Sequence, residues 1–308
     1  MNAADIRQVL KTFGAEPSGE WHDRYVSVNG LRFHYVEAGT GPVVLLLHGF
    51  PEFWYAWRYQ IPALAQAGFR VIALDLRGYN ESAKPVGRQN YEIDTLSDDV
   101  LGVIHALDQP RCVVIGHDWG GAIAWHLAMR EPQAVERLII LNAPHPYTFF
   151  RELPTLRQLR KSWYMFFFQL PWLPEKLLRA GDYAGLGHTL RNDPARRGAF
   201  TEADIACYKL ALAQPGALTA AIHYYRALFT RKLFRLKRQI RPIETPTLLI
   251  WGMQDRYLGL DLIKGLAPWV PNLQIERIPE ASHWVQADAP ERVNHLIIEF
   301  LRRGRETP

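Results

Sequence analysis

The stretch Val114-Ile115-Gly116-His117-Asp118-Trp119-Gly120-Gly121 runs an apolar strand pattern into a helical one with no linker between them. A strand that turns directly into a helix forces the corner residue into an unfavourable backbone conformation, with neighbours packed close. Gly116 and Gly120 leave room for that turn, and Gly121 lets the helix approach the sheet. The helix opening near Trp119 also points its free N–H groups toward the corner, where negative charge is favoured. An aspartate at such a place can be a plain N-cap. Whether Asp118 is more than that depends on what the chain brings to it.

Outward from this corner, short apolar runs alternate with helical periodicity. Val43-Val44-Leu45-Leu46-Leu47, Val71-Ile72-Ala73-Leu74, Cys112-Val113-Val114-Ile115, Leu138-Ile139-Ile140-Leu141 and Thr247-Leu248-Leu249-Ile250-Trp251 are continuous, as parallel strands buried on both faces should be. Helical stretches such as 94–108 and 119–130 lie between them, which argues for a mostly parallel sheet covered on both sides. Segments 24–28 and 32–37 are joined at Asn29-Gly30, a hairpin signal that gives the sheet an antiparallel start. After Asn142 the alternation stops. From there to about Arg241 the sequence is aromatic, basic and punctuated by prolines, with helices expected over 156–168, 174–180, 202–213 and 217–229. The expected organisation is a core in two parts, 1–143 and 242–308, with a helical cap, 144–241, over the strands' carboxyl ends, where such sheets bind ligands.

Charge supports this division. Residues 150–241 carry 17 Lys and Arg against 6 Asp and Glu, while the remainder carries 19 against 25. The basic run Arg231 to Arg238 is spaced for one wet face of a helix, so nucleic acid is not the expected partner. The chain has 308 residues, 48% hydrophobic and 22% charged, as an ordinary globular α/β domain with an insert would. No run of eighteen uncharged apolar residues is present, so no membrane insertion is expected. The first residues do not read as a signal peptide. With two isolated cysteines, Cys112 and Cys207, expected as buried free thiols, the expected location is cytoplasmic.

Two further loops that follow strands carry reactive side chains: Asp255 after the run ending at Trp251, and His283 after 273–278. Nucleophile, acid and histidine in that chain order are the arrangement of an α/β-hydrolase triad. The loop after the preceding strand reads Asn142-Ala143-Pro144 and offers no competing acid.

At this point the chain resembles the epoxide hydrolases of the α/β-hydrolase superfamily, kin to haloalkane and haloacetate dehalogenases. The resemblance spans nearly the whole chain. It is carried by His48-Gly49-Phe50-Pro51-Glu52, Asp75-Leu76-Arg77-Gly78-Tyr79, Gly116-His117-Asp118-Trp119-Gly120-Gly121, Asn142-Ala143-Pro144-His145-Pro146 and Ser282-His283-Trp284. It implies the α/β-hydrolase fold, with a mostly parallel eight-stranded sheet and a helical cap after the sixth strand. It also implies a chemistry. Substitution at saturated carbon needs a nucleophile already charged at neutral pH, which a carboxylate is. A serine would end as an ether, whereas an aspartate forms an ester that water can cleave. His283 would activate that water and Asp255 would orient the imidazole. The resemblance implies oxyanion donors from the backbone of Phe50 and Trp119, with Pro51 cis.

The leaving group separates the relatives. An oxirane opens to an alkoxide that needs a proton donor, and epoxide hydrolases supply two cap tyrosines. Tyr164, in Ser162-Trp163-Tyr164-Met165, and Tyr225, in His223-Tyr224-Tyr225-Arg226, fall in the matching motifs, with Tyr224 as the neighbouring alternative. Trp119 and Ala122 stand where haloacetate dehalogenases usually carry arginines, and Phe50 where haloalkane dehalogenases often carry asparagine. Trp119 does match the latter's halide-binding tryptophan, so that reading stays open, as does a non-catalytic binder on the same fold. Trp163, Phe167, Trp284 and Pro51 are expected to line an apolar substrate pocket. His48, His117 and His145 are expected to shape loops rather than bind metal. The expectation is an enzyme without cofactor, monomer or homodimer, acting on a small apolar epoxide and water.

Overall fold

The structure, a computed structural model, describes residues 3–13, 19–230 and 233–303. Its sheet has eight strands: β1 His22–Val28, β2 Leu31–Ala38, β3 Val43–Leu47, β4 Arg70–Leu74, β5 Cys112–His117, β6 Val135–Leu141, β7 Thr247–Gly252 and β8 Leu273–Ile278. Their spatial order is β1-β2-β4-β3-β5-β6-β7-β8. The β1–β2 and β2–β4 pairs are antiparallel and all the others parallel. The hairpin turns as expected at Asn29 and Gly30, both with positive φ, at 52° and 74°. Every residue of β3, β5 and β7 is buried, which is why these strands read as unbroken apolar runs.

Between β3 and β5 the order of the chain reverses: β4 lies on one side of β3 and β5 on the other. Such a reversal leaves a crevice beyond the strands' carboxyl ends. The β3 loop (His48 to Glu52) and the β5 corner (Asp118) both open onto it. Helices Ile93–Ala106, Trp119–Arg130 and Pro290–Arg303 pack against the rest of the core. The last buries Val293, Leu296, Ile297, Phe300 and Leu301, spaced as one apolar stripe.

The segment between β6 and β7 is helical. Its elements are Pro146–Glu152, Leu156–Lys161, Trp163–Phe167, Leu173–Asn192, Glu202–Ala213, Ala217–Leu228 and Leu233–Arg238. Three local differences from the sequence pattern stand out. The single helix expected over 156–168 breaks at Ser162, whose φ and ψ of −99° and 15° end one helix and start the next. The helix expected to stop at 180 extends to Asn192, bent by an extended Ala180 and left-handed Gly181, Asp182 and Tyr183. Pro146–Glu152 escaped the pattern because its cap is a histidine, His145, which accepts a hydrogen bond from the Tyr147 N–H. By contrast, Glu202–Ala213 begins with a full capping box between Thr201 and Asp204.

Cys112 and Cys207 are buried and free. Of the basic run 231–238, Arg231 and Lys232 lie outside the described residues, while Lys237 and Arg238 are exposed. No single described helix is long and apolar enough to cross a membrane. The bent pair Glu202–Ala213 and Ala217–Leu228 is apolar in sum because it forms much of the buried interior of the insert.

Candidate active site

Asp118 stands at the β5 corner with φ 49° and ψ −117°, a conformation that a residue with a side chain adopts only when its surroundings impose it. Those surroundings are backbone. A Cβ at position 120 would lie 2.1 Å from the Leu47 carbonyl oxygen, so only glycine lets the helix start so close to β3. Position 49 has the same limit from the other side: a Cβ there would meet the Asp118 Cβ at 2.4 Å. The close fit of the β3 loop lets the Phe50 N–H donate to Asp118 Oδ1 at 2.8 Å. The Phe50–Pro51 peptide is cis.

The other carboxylate oxygen faces His283. The Nε2 of His283 lies 3.7 Å from Asp118 Oδ2, and its Nδ1 is 2.8 Å from Asp255 Oδ2. Asp255 is fully used as an acceptor. Its Oδ2 also takes the Asn142 amide at 2.7 Å, and its Oδ1 takes the N–H groups of Tyr257 and Leu258 at 2.7 and 2.8 Å. Burial works against the Asp255 charge, but His283, Asn142 and the Leu258 N–H outweigh it and hold the carboxyl below the ordinary range. Burial likewise opposes protonation of His283. Asp255, Asp118 and Glu52 overcome it and raise the imidazole to about 9.

A second buried line supports the first from behind. The His117 Nε2 lies 2.9 Å from the His283 carbonyl oxygen, and its Nδ1 is 2.7 Å from Glu52 Oε2. Glu52 Oε2 also accepts from the Gly49 N–H, and Glu52 Oε1 from Gln286. Because a carbonyl only accepts, it is the His117 Nε2–H that donates to the His283 carbonyl, and this bond fixes the backbone of His283. Asn142 and this Glu52–His117 line were missed as functional residues by sequence reasoning. For Asn142 the signal was present: it heads the loop after β6, the place where a competing acid was sought. Its side chain holds the acid from β7 instead, while its Oδ1 accepts from the Gly252 N–H.

Above Asp118 lie two cavities. One, of about 320 Å³, includes Pro51, Trp163, Phe167, His283 and Trp284 in its lining, so the four expected pocket residues do meet. The other, of about 130 Å³, is lined by Trp119, Phe149 and Leu228 among others. Asp118, Tyr164 and Tyr225 line both, so the two cavities share these three side chains. The tyrosine rings pack edge to face, with centroids 5.7 Å apart, and Tyr225 also meets Phe50 and Trp119. Tyr224 is engaged elsewhere: its hydroxyl donates to the Arg77 carbonyl at 2.7 Å. Burial pushes both cavity phenols well above their ordinary pKa. Asp118 and Asp255 add to this for Tyr164, as do Tyr164 and Asp118 for Tyr225. Both therefore stay protonated opposite a carboxylate.

Among the described residues no group of three or more His, Cys, Asp or Glu could hold a metal ion. The histidines near the site are engaged in loops. The His48 Nε2 accepts from the Leu76 N–H at 3.1 Å while its Nδ1 lies 2.9 Å from the Gly49 carbonyl, and His145 caps a helix.

This fold and this corner define an α/β hydrolase, and the model of the alpha/beta hydrolase fold family matches residues 42–290. The chain belongs to that family. Within it, the chain belongs with the epoxide hydrolases. It is 43% identical to Epoxide hydrolase 4 of Homo sapiens over 89% of this chain and 76% of that protein. It is also 45% identical to the AB hydrolase superfamily protein YfhM of Bacillus subtilis (strain 168), over 91% and 97%. Among solved structures, it matches an inhibitor complex of the Bacillus megaterium epoxide hydrolase with a TM-score of 0.83 and 36% identity. That match covers 91% of this chain and all (100%) of the other.

Proposed function

We propose that the chain converts epoxides to vicinal diols through a covalent ester on Asp118, with the helical insert, 144–241, acting as a cap that supplies the acid. One observation carries the reading: Asp118 lies 3.7 Å from the Nε2 of His283 and shares the lining of two cavities with Tyr164 and Tyr225.

In the first step an Asp118 oxygen attacks one oxirane carbon. The ring C–O bond breaks, and its electron pair goes to the oxygen, which takes a proton from Tyr164 or Tyr225. Burial raises phenol and alcohol alike, and in one environment a phenol is the stronger acid, so transfer to the nascent alkoxide runs downhill. Alkylation consumes the Asp118 charge, one of those that hold the proton on His283. The imidazolium then gives that proton up, restoring the phenol, and becomes the base for the second step. It deprotonates a water that attacks the ester carbonyl, while the Phe50 and Trp119 N–H groups receive the oxyanion. Collapse of the tetrahedral intermediate breaks the ester C–O bond, and the leaving alkoxide takes its proton from the His283 imidazolium, which frees the diol. The Asp118 carboxyl returns its own proton to the imidazole and restores the starting pair. Asp255 balances and orients the imidazole throughout. The apolar lining and the shared middle of the two cavities suit an aryl or alkyl epoxide, with its oxygen at the tyrosines and substituents to either side. A mutant of the Bacillus megaterium relative has been solved with a naphthyloxy-propane-diol described as its product.

Single turnover in oxygen-18 water tests this. The heavy atom should enter the protein, with almost none in the diol released first. Labelled diol in that first cycle means direct addition of water and overturns the ester. Haloalkane dehalogenation, the second reading, is favoured by Trp119 alone. It predicts halide release that survives loss of both tyrosine hydroxyls.

A further inference from the structure

The described residues include ten exposed large hydrophobic side chains, and six of them, Leu156, Trp163, Phe166, Leu170, Trp172 and Leu177, fall within a single stretch of the insert. Scattered singly, exposed apolar side chains need no explanation, but clustered they mark a contact. Trp172 sharpens this. Its backbone is left-handed (φ 51°), which is costly for a bulky residue, and its indole is 67% exposed, so the fold recovers little packing from it. The same stretch lines the larger cavity through Trp163, Phe167 and Leu178, and Trp163, which is also exposed, carries the apolar surface to the rim of that cavity.

Charge indicates what covers it. Arg160, Lys176 and Arg179 are exposed and form no ion pair among the described residues. The one acid of the stretch, Glu175, is neutralised by Arg226 at 2.6 Å. A second copy of this chain would bring the same positive charges against them. A surface that combines exposed tryptophans, aliphatic side chains and unpaired cations is complementary to an anionic lipid bilayer.

We propose that residues 156–179 dock the enzyme peripherally on anionic membranes, with the rim of the cavity turned toward the lipid that dissolves its apolar substrate. Only the purpose of the docking rests on the epoxide-hydrolase reading. The docking itself is measured without turnover.

Flotation of the full chain with phosphatidylcholine vesicles, with and without about one third phosphatidylglycerol, tests it. Binding should need the anionic lipid and weaken with salt. It should fall at least about tenfold in Trp172→Gln/Leu177→Gln and in Lys176→Glu/Arg179→Glu. Turnover of a water-soluble epoxide should be unchanged in both variants, which also establishes that they fold. Failure to bind either vesicle, or binding indifferent to both variants, overturns the proposal. So does a concentration-dependent dimer that these substitutions dissociate, because the surface would then belong to a second copy.

Discussion

The two sides of Asp118 are built by different physics. On the core side, His283, Asp255 and Asn142 come from loops after β8, β7 and β6, and hydrogen bonds hold them. Four donors converge on Asp255, and His117 ties down the His283 carbonyl. On the insert side, Tyr164 and Tyr225 come from helices and are held mainly by ring packing against each other, Phe168, Phe50 and Trp119. One side-chain hydrogen bond joins the two tyrosines and another joins Tyr225 and Trp119. Hydrogen bonds fix a direction, whereas ring contacts tolerate small shifts. On the proposed reading, the core side keeps Asp118 and His283 in register, while the insert places the phenols that would protonate the leaving oxygen.

The comparison breaks most sharply if the core side is dispensable. Asp118→Ala should lose at least about four orders of magnitude in kcat with the fold intact, because among the described residues no other carboxylate lines the two cavities. Residual turnover within tenfold of the parent would place the nucleophile elsewhere. His283→Gln should lose about three orders of magnitude, but asymmetrically: one ring opening, then a stalled adduct that peptide mass spectrometry finds on Asp118. Turnover without an adduct would deny His283 the second step. The insert side should fail earlier. Tyr164→Phe with Tyr225→Phe is expected to slow ring opening by about two to three orders of magnitude, and each alone by about tenfold, with no adduct accumulating. A stalled adduct in the double variant would erase the distinction between the two sides.

The two sides also differed in how legible they were. The core side could be read from residue types, because a strand-to-helix corner with glycines, and an acid and a histidine after later strands, are local patterns. The tyrosines came only from a resemblance, since an aromatic on an amphipathic helix carries no local mark of catalysis. What neither route reached was long-range. Asn142 bonds a residue 113 positions away and Glu52 reaches His117 across 65, and no spacing rule links such loops before the sheet is assembled. The insert's helix ends were misread for a related reason. Ser162 and Asp182 break helices within otherwise continuous helical patterns, where neighbouring rings and chain reversals override propensity. Asn142→Ala, which leaves Asp255 one donor short, should cost about tenfold in the hydrolytic step, and less in alkylation, when each is followed by stopped flow.

The smallest effect is also the most direct test of how the sides communicate. If Asp118 is one of the charges that keep His283 protonated to about pH 9, removing that charge without chemistry should lower the imidazole's midpoint. Asp118→Asn does this while keeping the shape of the side chain, and the His283 ring resonance should titrate below the parent value. Stability should follow with a definite sign. A histidine raised from about 6.5 in the unfolded chain to about 9 when folded contributes stability that is complete below 6.5 and is lost as pH rises through 9. The parent should therefore lose melting temperature across that window more steeply than Asp118→Asn. Parallel curves would mean that Asp255 and Glu52 hold the proton without Asp118. Alkylation could not then release the base, and the order of the two steps would need another cause.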